Sequence, residues 1–253
     1  VRGLDINSSY MIYNLLNQQK EDGVSVIFVG EDLLGVISQF NKFLGISHPT
    51  PSWSVGTSLL FASDSTVTAD DIINYVDSTR ALGITLSEIW LSDLWISSND
   101  PLGFTFDPIR FPDPAAFCRK IHDYGVNIGI GVSPYISDNS EFYEECLEND
   151  LFIKSGSNVY LRDYECCAAA VLDLTNIAAR SFLQARIDAL LKIGVDMVEA
   201  DFRYKMFNFE DSEVTFFNGQ KPSEVSNYYS TIFNEAVYDV VSRTKGHANA
   251  MVI

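Results

Sequence analysis

Gly194-Val195-Asp196-Met197-Val198-Glu199-Ala200-Asp201 carries three signals in order: a glycine that stops a helix, a short apolar run, and a carboxylate at its end. The helix before it starts at Thr175 or Asn176 and carries Leu183, Ile187, Leu190 and Leu191 at helical spacing. The same unit recurs upstream. Thr68 caps a helix carrying Ile72, Ile73 and Val76, with Asp71 placed for a capping box, and Gly83 ends it. The run 84–91 follows, with Asp93 just beyond it. Asp113-Pro114 opens a helix with Phe117, Ile121 and Tyr124; Gly125 ends it and the run 126–132 follows. A further helix from about Pro222 to Arg243 leads through Gly246 to the run 248–253.

Strands separated by helices pair in parallel through right-handed crossovers. With 54–61 as the first, five strands are expected, apolar enough for a sheet buried on both faces. A (β/α)8 barrel and an open doubly wound sheet both satisfy this pattern. Gly129-Ile130-Gly131 lies inside a strand and runs into Pro134, so it is no dinucleotide fingerprint. The segments 133–173 and 202–221 read as long loops after strand ends. A barrel cut after five strands exposes two sheet edges, so the remainder of the barrel or a partner chain is expected to cover them.

The first fifty residues differ. Runs 10–17 and 24–29 are β-rich and read as a hairpin or adjacent strands around the polar turn 18–23. Residues 31–44 have a helical apolar period stopped by Gly45, and His48-Pro49-Thr50-Pro51 reads as a stiff linker, with a domain boundary near residue 48.

Composition narrows the partners. The 253 residues are 47% hydrophobic, enough to bury a core, and carry a net charge of −17, which repels nucleic-acid backbones and anionic membranes but admits neutral sugars. No apolar run approaches the roughly 18 residues of a membrane span. Cys118, Cys146, Cys166 and Cys167 lack metal-ligand spacing, and His48, His122 and His247 are scattered and read as structural. No cofactor motif is present: neither a phosphate loop nor a nucleophile elbow nor a His-rich metal motif.

Asp93 and Asp201 close apolar strands, where a charge is costly unless a cleft receives it. Glu199 lies two positions before Asp201 and points to the same side of its strand. Such acids can line a cleft, cap helices, pair with arginines, or jointly hold a divalent cation. Trp95, Phe104, Phe106 and Phe111 follow Asp93; they suit either sugar stacking or ordinary packing.

The order of motifs resembles glycoside hydrolase family 31, the α-glucosidase and α-xylosidase family. Pro51-Ser52-Trp53-Ser54-Val55-Gly56 is similar to the segment opening that family's barrel. Phe106-Asp107-Pro108 with Phe111-Pro112-Asp113-Pro114, Ser133-Pro134-Tyr135-Ile136, Asp173-Leu174-Thr175-Asn176 and Ala200-Asp201-Phe202 follow in the family's order. The resemblance implies a (β/α)8 barrel at residues 53–253, of which about the first five strands are present. It would be preceded by a helix and linker at 31–52 and by the last strands of a β-sandwich domain at 1–30. It also implies retaining hydrolysis of α-glycosidic bonds, with Asp201 as nucleophile and Asp93 hydrogen-bonding sugar hydroxyls; Trp95 and Glu199, close to these acids in sequence, are expected to bind the carbohydrate substrate with them. The family's acid/base carboxyl and a substrate-binding arginine would fall beyond Ile253, so the chain alone is expected to be inactive. Glu199 stands where the α-xylosidase branch has lysine, Gly131 stands where it has tryptophan, and Arg203-Tyr204 follow the nucleophile position. These departures leave a non-catalytic, sugar-binding or structural relative as the alternative.

Overall fold

The computed structural model describes residues 4–6, 10–16, 23–45, 50–61, 66–164, 167–201 and 213–253. The turn after residue 17, His48-Pro49, Cys166, Phe202 and Arg203-Tyr204 lie outside them. The chain divides into two compact units, Val1–Pro49 and Thr50–Ile253.

In the first unit β1 (Leu4–Ile6), β2 (Tyr10–Leu16) and β3 (Gly23–Val29) form an antiparallel sheet in chain order. β1 was not expected: three residues are too few to show a period. Helix α1 (Leu33–Leu44) starts where Asp32 accepts a hydrogen bond from the Gly35 backbone at 2.8 Å. Its Val36 and Phe40 pack on Phe28, whose ring also meets Phe43 edge-on.

The second unit begins with a short 3-10 turn, Ser52–Val55, so its first strand, β4 (Thr57–Leu60), is shorter than the sequence suggests. Helix α2 (Ala69–Ala81) has the full capping box: Thr68 and Asp71 exchange side-chain and backbone hydrogen bonds. After β5 (Leu86–Trp90), helix α3 (Pro114–Asp123) is capped by Asp113, which accepts from Ala116 N at 2.8 Å. Removing such a cap costs about 1 kcal/mol. Strand β6 (Asn127–Val132) follows.

The segment after β6 is not a bare loop. It holds β7 (Tyr135–Ser137), α4 (Tyr143–Glu148), β8 (Lys154–Ser155), β9 (Asn158–Val159), β10 (Leu161–Tyr164) and β11 (Cys167–Val171). Strands this short carry too little alternation to be read from sequence. Helix α5 (Ile177–Ile193) starts at Asn176 rather than Thr175, because the Asn176 side chain accepts from Ala178 N at 2.9 Å. Then come β12 (Met197–Ala200), β13 (Val214–Thr215) and α6 (Pro222–Lys245). β13 pairs with β8, so the excursions after β6 and β12 share one small sheet.

Strand order decides between the two architectures. β4, β5, β6 and β12 are neighbours in chain order, all parallel, and Val252 bridges to Val198 as the start of the next. A doubly wound sheet reverses its order; this sheet advances one strand at a time, as a (β/α)8 barrel does. The second unit is the front of such a barrel.

The two faces of the sheet differ. Ile89, Ile128, Ile130 and Val198 are fully buried in one core with Phe117 and Ile121 of α3, Leu183 and Ile187 of α5, and Phe233 and Val237 of α6. The opposite face carries Glu88, Trp90, Gly129, Gly131, Met197 and Glu199 by register. Gly129 is required there: a Cβ would stand 2.5 Å from the Trp90 ring.

Candidate functional site

Ser92 lies just past β5 with a φ of 45°, left-handed for a non-glycine residue, a strain that recurs beside functional groups. The turn it makes is closed by Leu94 N donating to Leu91 O at 2.7 Å and Ile96 N to Asp93 O at 3.0 Å. On the other side, Asp201 leaves β12. Its N–H donates to Val132 O at 2.8 Å, while Gly131 N donates to Ser92 O at 3.1 Å. The last two residues of β6 therefore hold both acid-bearing segments.

Because the three strands are parallel, Asp93 and Asp201 emerge at the same, C-terminal rim. Two inter-strand spacings put their backbones about 10 Å apart. Both are half-buried, as is Glu199. Glu199 pairs in register with Gly131, and Asp93 Oδ1 lies 3.7 Å from where a Gly131 Cβ would be. Asp93 and Glu199 thus flank a position with no side chain. The three acids do not form a cation cage: among the described residues no group of three or more His, Cys, Asp or Glu side chains could hold a metal ion.

Trp95 takes a different place from the one expected. It is completely buried, its ring centroid 5.1 Å from that of Phe106, and its Nε1 donates to Gly131 O at 3.1 Å. Phe104, Phe106 and Phe111 are buried too, and Phe106–Phe111–Phe117 continue the ring stack. These aromatics build the core of the loop after β5. In this structure they pack on one another, and Trp95 fixes the end of β6.

The other motif acids also build loops. Asp107 accepts from the backbones of Ser98, Ile109 and Arg110 and from the Arg110 guanidinium at 3.2 Å. Burial pushes its carboxyl up, but those bonds outweigh it and hold the pKa at about 2. Asp173 accepts from Thr175 N and Oγ1 and, at 2.6 Å, from Phe217 N, tying the two excursions together; burial nonetheless keeps its pKa raised. Asp100, which sequence reasoning passed over, is buried and accepts from Ser140 Oγ at 2.6 Å. Its only sequence signal is the turn-forming Ser98-Asn99-Asp100-Pro101.

Polar groups gather at the opposite rim as well. Asp196, just before β12, accepts from Ile128 N at 3.0 Å and contacts His122 Nε2 at 2.7 Å and Lys245 Nζ at 3.1 Å. This cluster ties α3, β6, β12 and α6 together. Among the described residues no helix is long and apolar enough to cross a membrane.

Comparison with known proteins fits this architecture. The family model described as "Glycosyl hydrolases family 31 TIM-barrel domain" matches residues 47–253. Alpha-xylosidase XylQ of Lactiplantibacillus pentosus is 26% identical over 218 residues, covering 86% of this chain and 28% of its own. An alpha-xylosidase of Emericella nidulans is 23% identical over 261 residues, covering 99% and 33%. The chain therefore spans about a third of the length of these relatives. Among solved structures, a GH31 family sulfoquinovosidase from E. rectale, in complex with an aza-sugar inhibitor, superposes with a TM-score of 0.78 at 17% identity over 96% of this chain and 39% of its own. A GH31 alpha-xylosidase from a soil metagenome, complexed with xylose, gives 0.77 at 14% identity over 96% and 39%.

Proposed function

The chain belongs to glycoside hydrolase family 31, and from that premise we propose that it forms the front of the catalytic barrel of a retaining α-glycosidase acting on α-xylosides or α-glucosides. The observation that carries the reading is the placement of Asp93 and Asp201 on one rim, both anchored to the end of β6. Residues 1–30 then complete a preceding β-sandwich, which the antiparallel order β1-β2-β3 supports.

In this reading ionised Asp201 attacks the anomeric carbon. The C–O bond to the leaving group breaks, a second carboxylic acid gives its proton to the departing oxygen, and a glycosyl ester remains on Asp201. The second carboxylate then takes a proton from water, the water oxygen attacks the anomeric carbon, and Asp201 is released. Asp93 accepts hydrogen bonds from hydroxyls of the sugar ring. The acid/base comes from a later strand, outside these residues. Glu199, two positions before Asp201, places a second carboxyl beside the nucleophile.

Turnover of aryl α-xylosides and α-glucosides by the protein with its complete barrel tests this. We expect hydrolysis with retention, lost in Asp201→Asn by roughly a thousandfold or more; unchanged turnover in Asp201→Asn contradicts the assignment. The glycine at 131 and the acid at 199, where the family pattern has other residues, favour one alternative, a relative that binds sugar without cleaving it. Sugar binding without turnover on any α-glycoside would select that alternative.

A further inference from the structure

Two clefts of about 620 and 230 Å³, half open to solvent, lie along the excursion sheet; neither is lined by Asp93, Glu199 or Asp201, and they share Asp150, Phe152 and Lys154 as a common wall. The larger is bounded by Tyr143 and Leu147 of α4 on one side and by Asn158 and Leu161 of the β8–β10 strands on the other. Its volume falls in the range of small-ligand sites. The smaller opens beside Phe217, whose side chain is 65% exposed although its backbone is fixed by Asp173. β13 is paired to β8, Thr215 opposite Lys154, so this second cavity is held against the first by sheet hydrogen bonds.

The lining selects a chemical class. Lys154 and Asp150 neutralise each other across 2.5 Å, so the wall asks for no net charge in a ligand. The remaining polar side chains are Asn158 and Ser157 in the larger, both exposed, beside the half-buried ring of Tyr143, and Thr215 and Asp173 in the smaller, where the Asp173 carboxyl already accepts from Thr175 and the Phe217 amide. Cys146 at the base is no reactive thiol: burial pushes its pKa up to about 12. Apolar faces interleaved with hydrogen-bonding groups match a sugar, whose C–H face stacks and whose hydroxyls bond.

We propose that these paired cavities are an accessory binding site for a neutral oligosaccharide, one ring beside Tyr143 and Asn158 and a second against Phe217. The sugar class rests on family membership; the site itself does not depend on hydrolysis. It would hold a chain-like substrate on the excursions while a terminal unit is worked on elsewhere.

Amide-resolved NMR of the full chain, titrated in turn with maltotriose, isomaltotriose and xylotriose, tests this. At least one should shift the amides of Tyr143, Asn158 and Phe217 saturably, with a Kd on the order of 1 mM. Phe217→Ala, at an exposed side chain, should weaken it by about fivefold, as should Asn158→Ala. Asp201→Asn and Asp93→Asn should leave this Kd unchanged, which separates it from the reading of the catalytic rim. The proposal is overturned if none of the three sugars shifts those amides, if shifts appear only around the rim acids, or if both Phe217→Ala and Asn158→Ala bind as the parent does.

Discussion

The two ends of the parallel sheet treat charge in opposite ways. At the N-terminal end, Asp196 is matched by His122, Lys245 and a backbone amide, and Gly125 and Gly194 turn the chain from helix to strand. At the C-terminal end, Asp93, Glu199 and Asp201 stand half-buried around a glycine, with a left-handed serine beside them. One end spends its charges on joining elements. The other gathers three acids at the rim where barrel enzymes keep their chemistry, the role proposed for them above. Substitutions at the first end should therefore move stability and leave turnover alone; substitutions at the second should do the reverse.

The largest expected effect is the loss of turnover in Asp201→Asn already described, with a melting temperature close to the parent's. A variant that also unfolded would blur the contrast. Next comes Gly194→Ala. Its φ is 135° and a Cβ would lie 2.5 Å from that of Cys118, so about 3 kcal/mol of stability should go. Urea unfolding measures this, and a loss below about 1 kcal/mol would show that the helix–strand corner yields easily. Asp196→Asn should remove about 2 kcal/mol by leaving Lys245 and His122 without their carboxylate, with KM and kcat of the complete enzyme unchanged.

A pH series sharpens the same end. Hydrogen bonding to Asp196 raises the His122 pKa above 6.5 despite partial burial. Burial works to raise the Asp196 pKa, yet His122, Lys245 and the Ile128 amide lower it below 3.8. The His122 contribution is full below 6.5 and fades as pH rises through its folded value. That of Asp196 is full above 3.8 and fades as pH falls through its lowered value. The urea midpoint should thus drop as pH rises above about 6.5 and through the raised His122 value, and His122→Gln should flatten that drop; a parallel drop in both proteins would break the assignment. The smallest effect is Gly131→Ala. Its Cβ would find only ordinary contacts, the nearest 3.4 Å away, so stability should change by less than about 1 kcal/mol while substrate affinity shifts.

What could be read from sequence follows from the length of each signal. Thr68–Asp71, Asp113-Pro114 and the glycines 83, 125, 194 and 246 announce helix ends by local chemistry, and the structure uses all of them. The rim acids were legible because a charge after an apolar strand is conspicuous. The burial of Trp95 was hidden because an aromatic residue beside an acid looks the same in sequence whether it is exposed or packed; its bond to Gly131 O spans 36 residues. The excursion sheet was invisible because its strands are two residues each and pair across long separations, β13 with β8. The Asp196 cluster was equally hidden, its members lying 74 and 49 residues apart.

The central claim is that Asp93 and Asp201 serve one sugar. A crystal structure of the complete protein with an aza-sugar tests it directly. The account predicts carboxylate oxygens of both residues within about 3 Å of the same ring. A ring held by neither, or by one while the other faces away, would contradict it.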